Sequence, residues 1–377
     1  MGIAGEKGII KIDSDKLGNI EADFLCRPLS LDTGNSLFLR SFNNVWYELN
    51  AARNLVYKIL GADEISKINL TFYEALESNN NVRLKSLGLD SLDKFFNFLD
   101  EDAKKYTKLY GENPIFPPML SRPIYLSVSS GSEWNYGNVF GEYKGITHNI
   151  RSVDDFSKEL RLVKSYFGDS FPSRESVYLG DARAIDIDQK DLISIMDLIR
   201  AELELPVASS FDIYSTPKKR NMISYRDLKE HGLSRMYIYV ESGSYKVIRV
   251  LNRNINITEA MNDISNIKDH EIPVSIVIMA GTGGSKLSRD HVVSTANLIS
   301  QLPLGLNDQI LICPVIQESD QTYYKILETE NLGIMSMEQI LAQMQDIRNT
   351  ILSSFADVNG SELKTKIIDW DLRIPPN

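Results

Sequence analysis

Cysteine is almost missing from this chain: its 377 residues include two, Cys26 and Cys313. Two thiols so far apart in sequence exclude a disulfide-stapled scaffold and any centre that needs three or four thiolates. Long apolar runs are missing too. No stretch reaches the roughly 18 residues needed to span a bilayer, and the opening "MGIAGEKGIIKIDSD" has no signal-peptide core. Gly2 is followed by Glu6 where the myristoylation pattern wants Ser or Thr. Positive charge is in deficit, with a formal net charge of -10, so a sequence-blind grip on nucleic acid is not expected. The run "TPKKRN" at 216–221 reads as a solvated loop. With 43% hydrophobic and 24% charged residues, the chain reads as an ordinary globular, cytoplasmic protein without a membrane segment.

What is there divides by texture near residue 120. In "SFNNVWYELNAARNLVYKIL", Val45, Leu49, Leu55, Val56 and Leu60 fall on a helical stripe ended by Gly61. A second helix is expected over "ISKINLTFYEALES". A third has Ser91 as N-cap, Phe95, Phe96, Leu99, Tyr106 and Leu109 at helical spacing, and Gly111 beyond its end. The proline-rich "GENPIFPPML" then reads as a linker. Residues 1–120 are therefore expected to form a mainly helical N-terminal region.

From Pro123 the chain alternates short apolar runs with helical patterns. The runs are "IYLSV" (124–128), "SVYLG" (176–180), "SFDIYS" (210–215), "MYIYVE" (236–241), "VSIVIM" (274–279) and "ILICPV" (310–315). Continuous apolar strands alternating with helices imply parallel strands covered by helices. The expected fold class is α/β, with a six-stranded parallel (β/α)6 partial barrel over 121–320. A C-terminal helix and tail, 321–377, are expected to pack on it.

Ligand sites of parallel barrels lie at the C-terminal ends of the strands. Those ends carry small, polar and acidic residues: "GSEWNYGNVFGEYKG" (131–145), "GDARAI" (180–185), "STPKKRN", "ESGS" (241–244), "AGTGG" (280–284) and "PVIQES". Taken alone, "AGTGG" satisfies neither a P-loop nor a dinucleotide fingerprint.

In this order the motifs resemble those of the radical S-adenosylmethionine superfamily, in the group related to the anaerobic coproporphyrinogen oxidase (HemN-like, Elp3-like barrels). The similarity covers roughly 122–351. It implies that the small and acidic residues of "YLGDARAI", Gly180 and Asp181, hold the methionine amino group and that "ESGS", with Glu241 and Ser242, closes the fourth strand at the cofactor. Asp181 and Glu241 either pair with a cationic amino group or a ribose, or are buried carboxylates paired with Arg183 or Arg235. It implies further that Gly281, Gly283 and Gly284 receive the adenine, and that Tyr143 belongs to the cofactor-binding loop. In the family that loop carries three cysteines that hold a 4Fe–4S cluster, and here the matching positions are Ser132, Gly137 and Phe140. Such a trio offers cluster iron neither thiolate nor imidazole, and Cys26 and Cys313 cannot replace it. No cluster and no metal are expected, and no catalytic residue is assigned.

Arg183 stands where the family has a small or amide residue, and Trp134, Tyr136 and Tyr143 could plug the barrel mouth. His231 and His291 fall on helical stretches and read as packing or surface residues; a serine nucleophile elbow is missing. Two readings stay open. One is a non-catalytic pseudoenzyme that binds or assembles with a protein partner or its own copies, docking through the N-terminal region. The other is an enzyme that binds S-adenosylmethionine or another nucleoside and does polar chemistry with Asp181 or Glu241 as base.

Overall fold

Aliphatic and aromatic residues alternate with polar ones through the first sixty positions, and in the computed structural model they form strands. The structure describes residues 3–6, 8–14, 18–50, 55–110, 122–130, 149–180, 187–211, 223–251, 257–315, 321–360 and 362–374. It divides into two compact units: Met1–Tyr125 with Lys158–Val177 and Asp371–Asn377, and Leu126–Ser157 with Tyr178–Trp370.

The first unit opens with β1 (Ile3–Glu6), β2 (Ile9–Ser14), β3 (Gly18–Asp23), β4 (Pro28–Asp32), β5 (Leu37–Arg40), β6 (Trp46–Asn50) and β7 (Leu55–Ile59), an antiparallel meander whose sheet order is the chain order. Gly18 starts β3 at φ +88°, where an added Cβ would stand 2.0 Å from the Asp32 carbonyl oxygen; only glycine fits. Two helices follow, α1 (Ala62–Ser86) and α2 (Leu92–Tyr110). The Glu64 carboxylate accepts the Gly61 N–H at 3.1 Å at the start of α1, and the Lys94 N–H donates to Ser91 Oγ at 3.4 Å at the start of α2. The core joins sheet and helices through Ile10, Ile12, Trp46, Phe72, Leu76, Phe95 and Leu99, with the Trp46 and Phe72 rings 5.5 Å apart.

The mainly helical N-terminal region is thereby corrected. The expected helix over 41–60 is β6 and β7, paired from Tyr47↔Ile59 to Asn50↔Leu55. The stripe Val45, Leu49, Leu55/Val56, Leu60 fits a 3.6-residue period only by joining two short runs, "WYELN" and "LVYKI". Each run is rich in aromatic and β-branched residues, whose packing on a pleated surface prevails. The second and third helices are found, as α1 and α2.

Further along come β8 (Pro123–Ser127), β9 (Ser129–Ser130), β10 (Asn149–Ile150), α3 (Val153–Phe167), a 3-10 turn (Gly168–Ser173) and β11 (Ser176–Gly180). Next are α4 (Gln189–Leu203), β12 (Val207–Phe211), α5 (Tyr225–Glu230), β13 (Leu233–Glu241), α6 (Tyr245–Val250) and α7 (Ile257–Asp269). The last are β14 (Val274–Ala280), α8 (Gly284–Ser300), β15 (Gln309–Pro314), α9 (Gln321–Thr329), α10 (Met337–Asn359) and β16 (Lys366–Asp369). The larger sheet has the order β16-β15-β14-β13-β12-β11-β8, and the ladders from β12 to β16 are parallel.

Every residue of β14 is buried, as a strand covered on both faces must be. Its start is fixed by Asp308, whose carboxylate accepts the Val274 and Gly305 N–H groups at 2.8 and 2.7 Å and pairs with Lys268 at 2.8 Å. The sheet holds seven strands where six were expected, because β16, four residues in the C-terminal tail, adds to its edge beside β15. The α/β class with a parallel sheet stands; the antiparallel sheet of the first unit was not expected.

Candidate functional site

The ends of β13, β14 and β15 meet the starts of α6, α8 and α9, and this part of the second unit is the candidate site. The register of β13 against β14 shifts between Tyr239 and Glu241, and Glu241 adopts φ +58°, a left-handed conformation unusual for a residue with a side chain. Glu241 is 1% exposed. Burial raises the Tyr323 hydroxyl well above its ordinary value, with smaller contributions from Tyr324 and Glu241.

The residues after Glu241 are tied to α8. Ser242 Oγ and His291 Nδ1 are 2.7 Å apart, Thr295 Oγ1 is 3.3 Å from the same nitrogen, and the Gly243 N–H donates to Thr295 Oγ1 at 2.9 Å. The Ser244 hydroxyl donates to Asp290, which also accepts Lys246 Nζ at 3.1 Å. Burial pushes His291 down from 6.5 to about 4, against the Met279 carbonyl and Asp290, which raise it. At neutral pH the His291 imidazole is uncharged and shares a hydrogen bond with the Ser242 hydroxyl; both residues are buried. Gly243 is required here, since a Cβ would stand 2.4 Å from the Ser294 carbonyl oxygen.

The glycine-rich end of β14 is occupied by the chain itself. The Gly281 N–H donates to Gln343 Oε1 at 2.6 Å, and the Gly283 N–H donates to the Tyr323 hydroxyl at 2.7 Å. A Cβ on Gly281 would meet the Ile340 side chain at 3.1 Å, and one on Gly284 would meet the Gly333 carbonyl oxygen at 2.3 Å. The first amides of α8 are used as well: Ser285 and Lys286 donate to the carbonyls of Gly333 and Leu332 at 2.9 and 3.0 Å.

Of the residues expected at the site, Glu241, Ser242, Gly281, Gly283 and Gly284 are brought together, and Gly180 ends β11. Asp181, Arg183 and Tyr143, the cluster positions Ser132, Gly137 and Phe140, the aromatics Trp134 and Tyr136, and the run 216–221 lie outside the described residues. Arg235 is not the partner of Glu241: its guanidinium donates to the Val274 and Asn307 carbonyls and to Ser275 Oγ, at the opposite end of β13. Tyr323 and Gln343, which fill the glycine end, went unnoticed because nothing local in "QTYYKIL" or "LAQMQDI" marks them; only the topology brings them back to β14.

The donors needed for a 4Fe–4S cluster do not fit this chain. Cys313 is buried inside β15. Cys26 belongs to the other unit, and burial, with Asp23 beside it, pushes its thiol up to about 12, which keeps it protonated and a poor iron ligand.

No family model and no curated relative matches the chain. Among solved structures, coproporphyrinogen III oxidase (HemN) from Escherichia coli matches at 13% identity and TM-score 0.44, over 66% of this chain and 55% of that one. Methylornithine synthase (PylB) matches at 14% identity and TM-score 0.44, over 79% and 83% of the two chains. SuiB from Streptococcus suis, bound to its precursor peptide SuiA, matches at 12% identity and TM-score 0.42, over 97% and 72%. The chain thus spans about half the length of HemN, and at such identities and scores these likenesses carry no argument about activity. Of the solved structures to which this chain is similar, HemN, OxsB and TsrM are radical S-adenosylmethionine enzymes.

Proposed function

We propose that this chain is a radical-S-adenosylmethionine-like protein that does no radical chemistry and serves as a binding or assembly subunit. In this reading β8 and β11 to β15 are the six strands of a partial barrel, with β16 as an added edge. One observation carries the proposal: the chain has two cysteines, neither in the loop after β8, where the resemblance puts three. Without three thiolates there is no site-differentiated cluster to deliver an electron to the cofactor. The packing of Tyr323, Gln343, Ile340 and Gly333 against Gly281–Gly284 supports the same reading, since the seat expected for adenine is filled from within.

A second reading keeps a ligand. Glu241 is held in a left-handed conformation at a strand end, and such backbone outliers cluster at functional positions. Calorimetry of the purified chain against S-adenosylmethionine, with Glu241→Gln as control, separates the two. The proposed subunit gives no heat of binding at millimolar ligand. Micromolar binding that Glu241→Gln abolishes would replace it with a nucleoside-binding enzyme that uses Glu241 as a base or as a cofactor contact.

A further inference from the structure

Three arginines of the first unit are buried almost completely: Arg27 at 0%, Arg40 at 2% and Arg174 at 3% exposure. Two buried carboxylates stand among them. Asp23 accepts the Leu25 and Arg27 N–H groups on Oδ1, each at 3.0 Å, and Arg27 Nε on Oδ2 at 2.6 Å. Asp102 accepts Arg27 Nη1 at 3.2 Å and the Tyr166 hydroxyl at 3.1 Å. All four carboxylate oxygens are therefore engaged by Arg27, Tyr166 and backbone. Glu159 is buried as well, and its charge acts on the Tyr110 hydroxyl.

Arg40 and Arg174 are left without a hydrogen-bonded anion. Arg40 Nε donates to Asn44 Oδ1 at 3.0 Å, while Nη1 and Nη2 are both buried without a partner among the described residues. Arg174 Nε and Nη2 share Ser173 Oγ at 3.1 and 3.0 Å, and Nη1 has no partner among the described residues. Arg27 Nη2 and the Tyr110 hydroxyl are likewise buried without a partner among the described residues.

Aromatic rings give partial compensation. The Arg27 guanidinium carbon lies 4.8 Å from the Tyr166 ring centre and 5.2 Å from that of Phe42, and the Arg174 carbon lies 5.0 Å from that of Phe167. Ring faces answer the charge of a guanidinium but offer its in-plane N–H groups no acceptor oxygen. A buried cation with unmet donors is costly unless an anion completes it, and the arginine fork matches the paired oxygens of an oxyanion.

We propose that the first unit holds a small tetrahedral oxyanion, phosphate or sulfate in its chemistry, anchored by the Arg40 fork with Arg174 and Arg27 as further donors, and taken up as the unit folds. It is a structural ligand and independent of the reading of the strand ends in the second unit. Burial lowers Arg40 and takes Arg174 down to about 10, the direction that an added anion reverses.

The test uses the full chain, exchanged under native conditions into buffer free of phosphate and sulfate. Acid denaturation followed by ion chromatography should release about one equivalent of oxyanion per chain. In parallel the Tm should rise by about 3 °C for each tenfold increase in phosphate, with no rise in chloride at matched ionic strength. Arg40→Met should lose both signals while keeping its far-ultraviolet circular dichroism. If Arg40→Met does not fold, Arg40→Lys, which keeps the charge and loses the fork, should cut the phosphate response tenfold or more. The proposal is overturned if no oxyanion is released and the Tm ignores phosphate, or if Arg40→Met melts at the same temperature as the parent in every buffer.

Discussion

Gly284 sits at φ +65° with the Gly333 carbonyl oxygen where a Cβ would go, so a side chain there meets both backbone strain and a clash against backbone that cannot step aside. Gly284→Ala is expected to cost about 3 kcal/mol in urea unfolding, whereas Gly88→Ala, at φ +71° in open space, should cost only about 1 kcal/mol. His291 makes the second prediction at this scale. Its folded value, about 4, lies below the usual 6.5, so in the window between them the unfolded chain binds a proton that the folded chain refuses. Stability is full above pH 6.5 and falls as pH drops towards 4, by up to about 3 kcal/mol, and His291→Gln should flatten that part of the profile. The sequence placed His291 on a helical stretch as a packing or surface residue, and it is buried on α8. Its partners Ser242 and Thr295 could not be read off, since nothing in a helical pattern says which strand end the helix will face.

At the scale of elements, legibility followed length and period. The strands β11, β13, β14 and β15 fall within three residues of the expected runs 176–180, 236–241, 274–279 and 310–315, and α2 starts directly after its expected N-cap Ser91, whereas β12 begins three residues before the expected 210–215. β6 and β7 were not readable: two five-residue strands lie close enough together for their apolar positions to imitate one helix. β16 was missed because four residues, "KIID", carry too little pattern; its place comes from long-range partners. Arg348 on α10 donates to the Ile367 carbonyl at 2.8 Å and to Asp369 at 2.6 Å. Arg348→Met should therefore remove hydrogen-exchange protection from Lys366–Asp369 first and lower stability by about 1–2 kcal/mol. Likewise Tyr323→Phe leaves the buried Gly283 N–H without its acceptor and should cost about 1–3 kcal/mol, with faster exchange at Gly283.

For the whole molecule, composition and strand-end motifs supplied the α/β class and the resemblance, and the cysteine count supplied the central negative. The antiparallel unit stayed hidden because its strands are short and its core is completed by α1 and α2, contacts that no local window contains. The parallel-sheet unit is expected to be stable with its strand ends filled by its own side chains. Loss of either thiol is expected to leave the metal content unchanged. The most direct test is iron and sulfide content after anaerobic reconstitution, read with the electron paramagnetic resonance spectrum of the dithionite-reduced protein. The expected result is iron far below one equivalent and no cluster signal. About four iron and four sulfide per chain with a reduced-cluster spectrum, lost in Cys26→Ser or Cys313→Ser, would contradict the account and return the chain to radical chemistry.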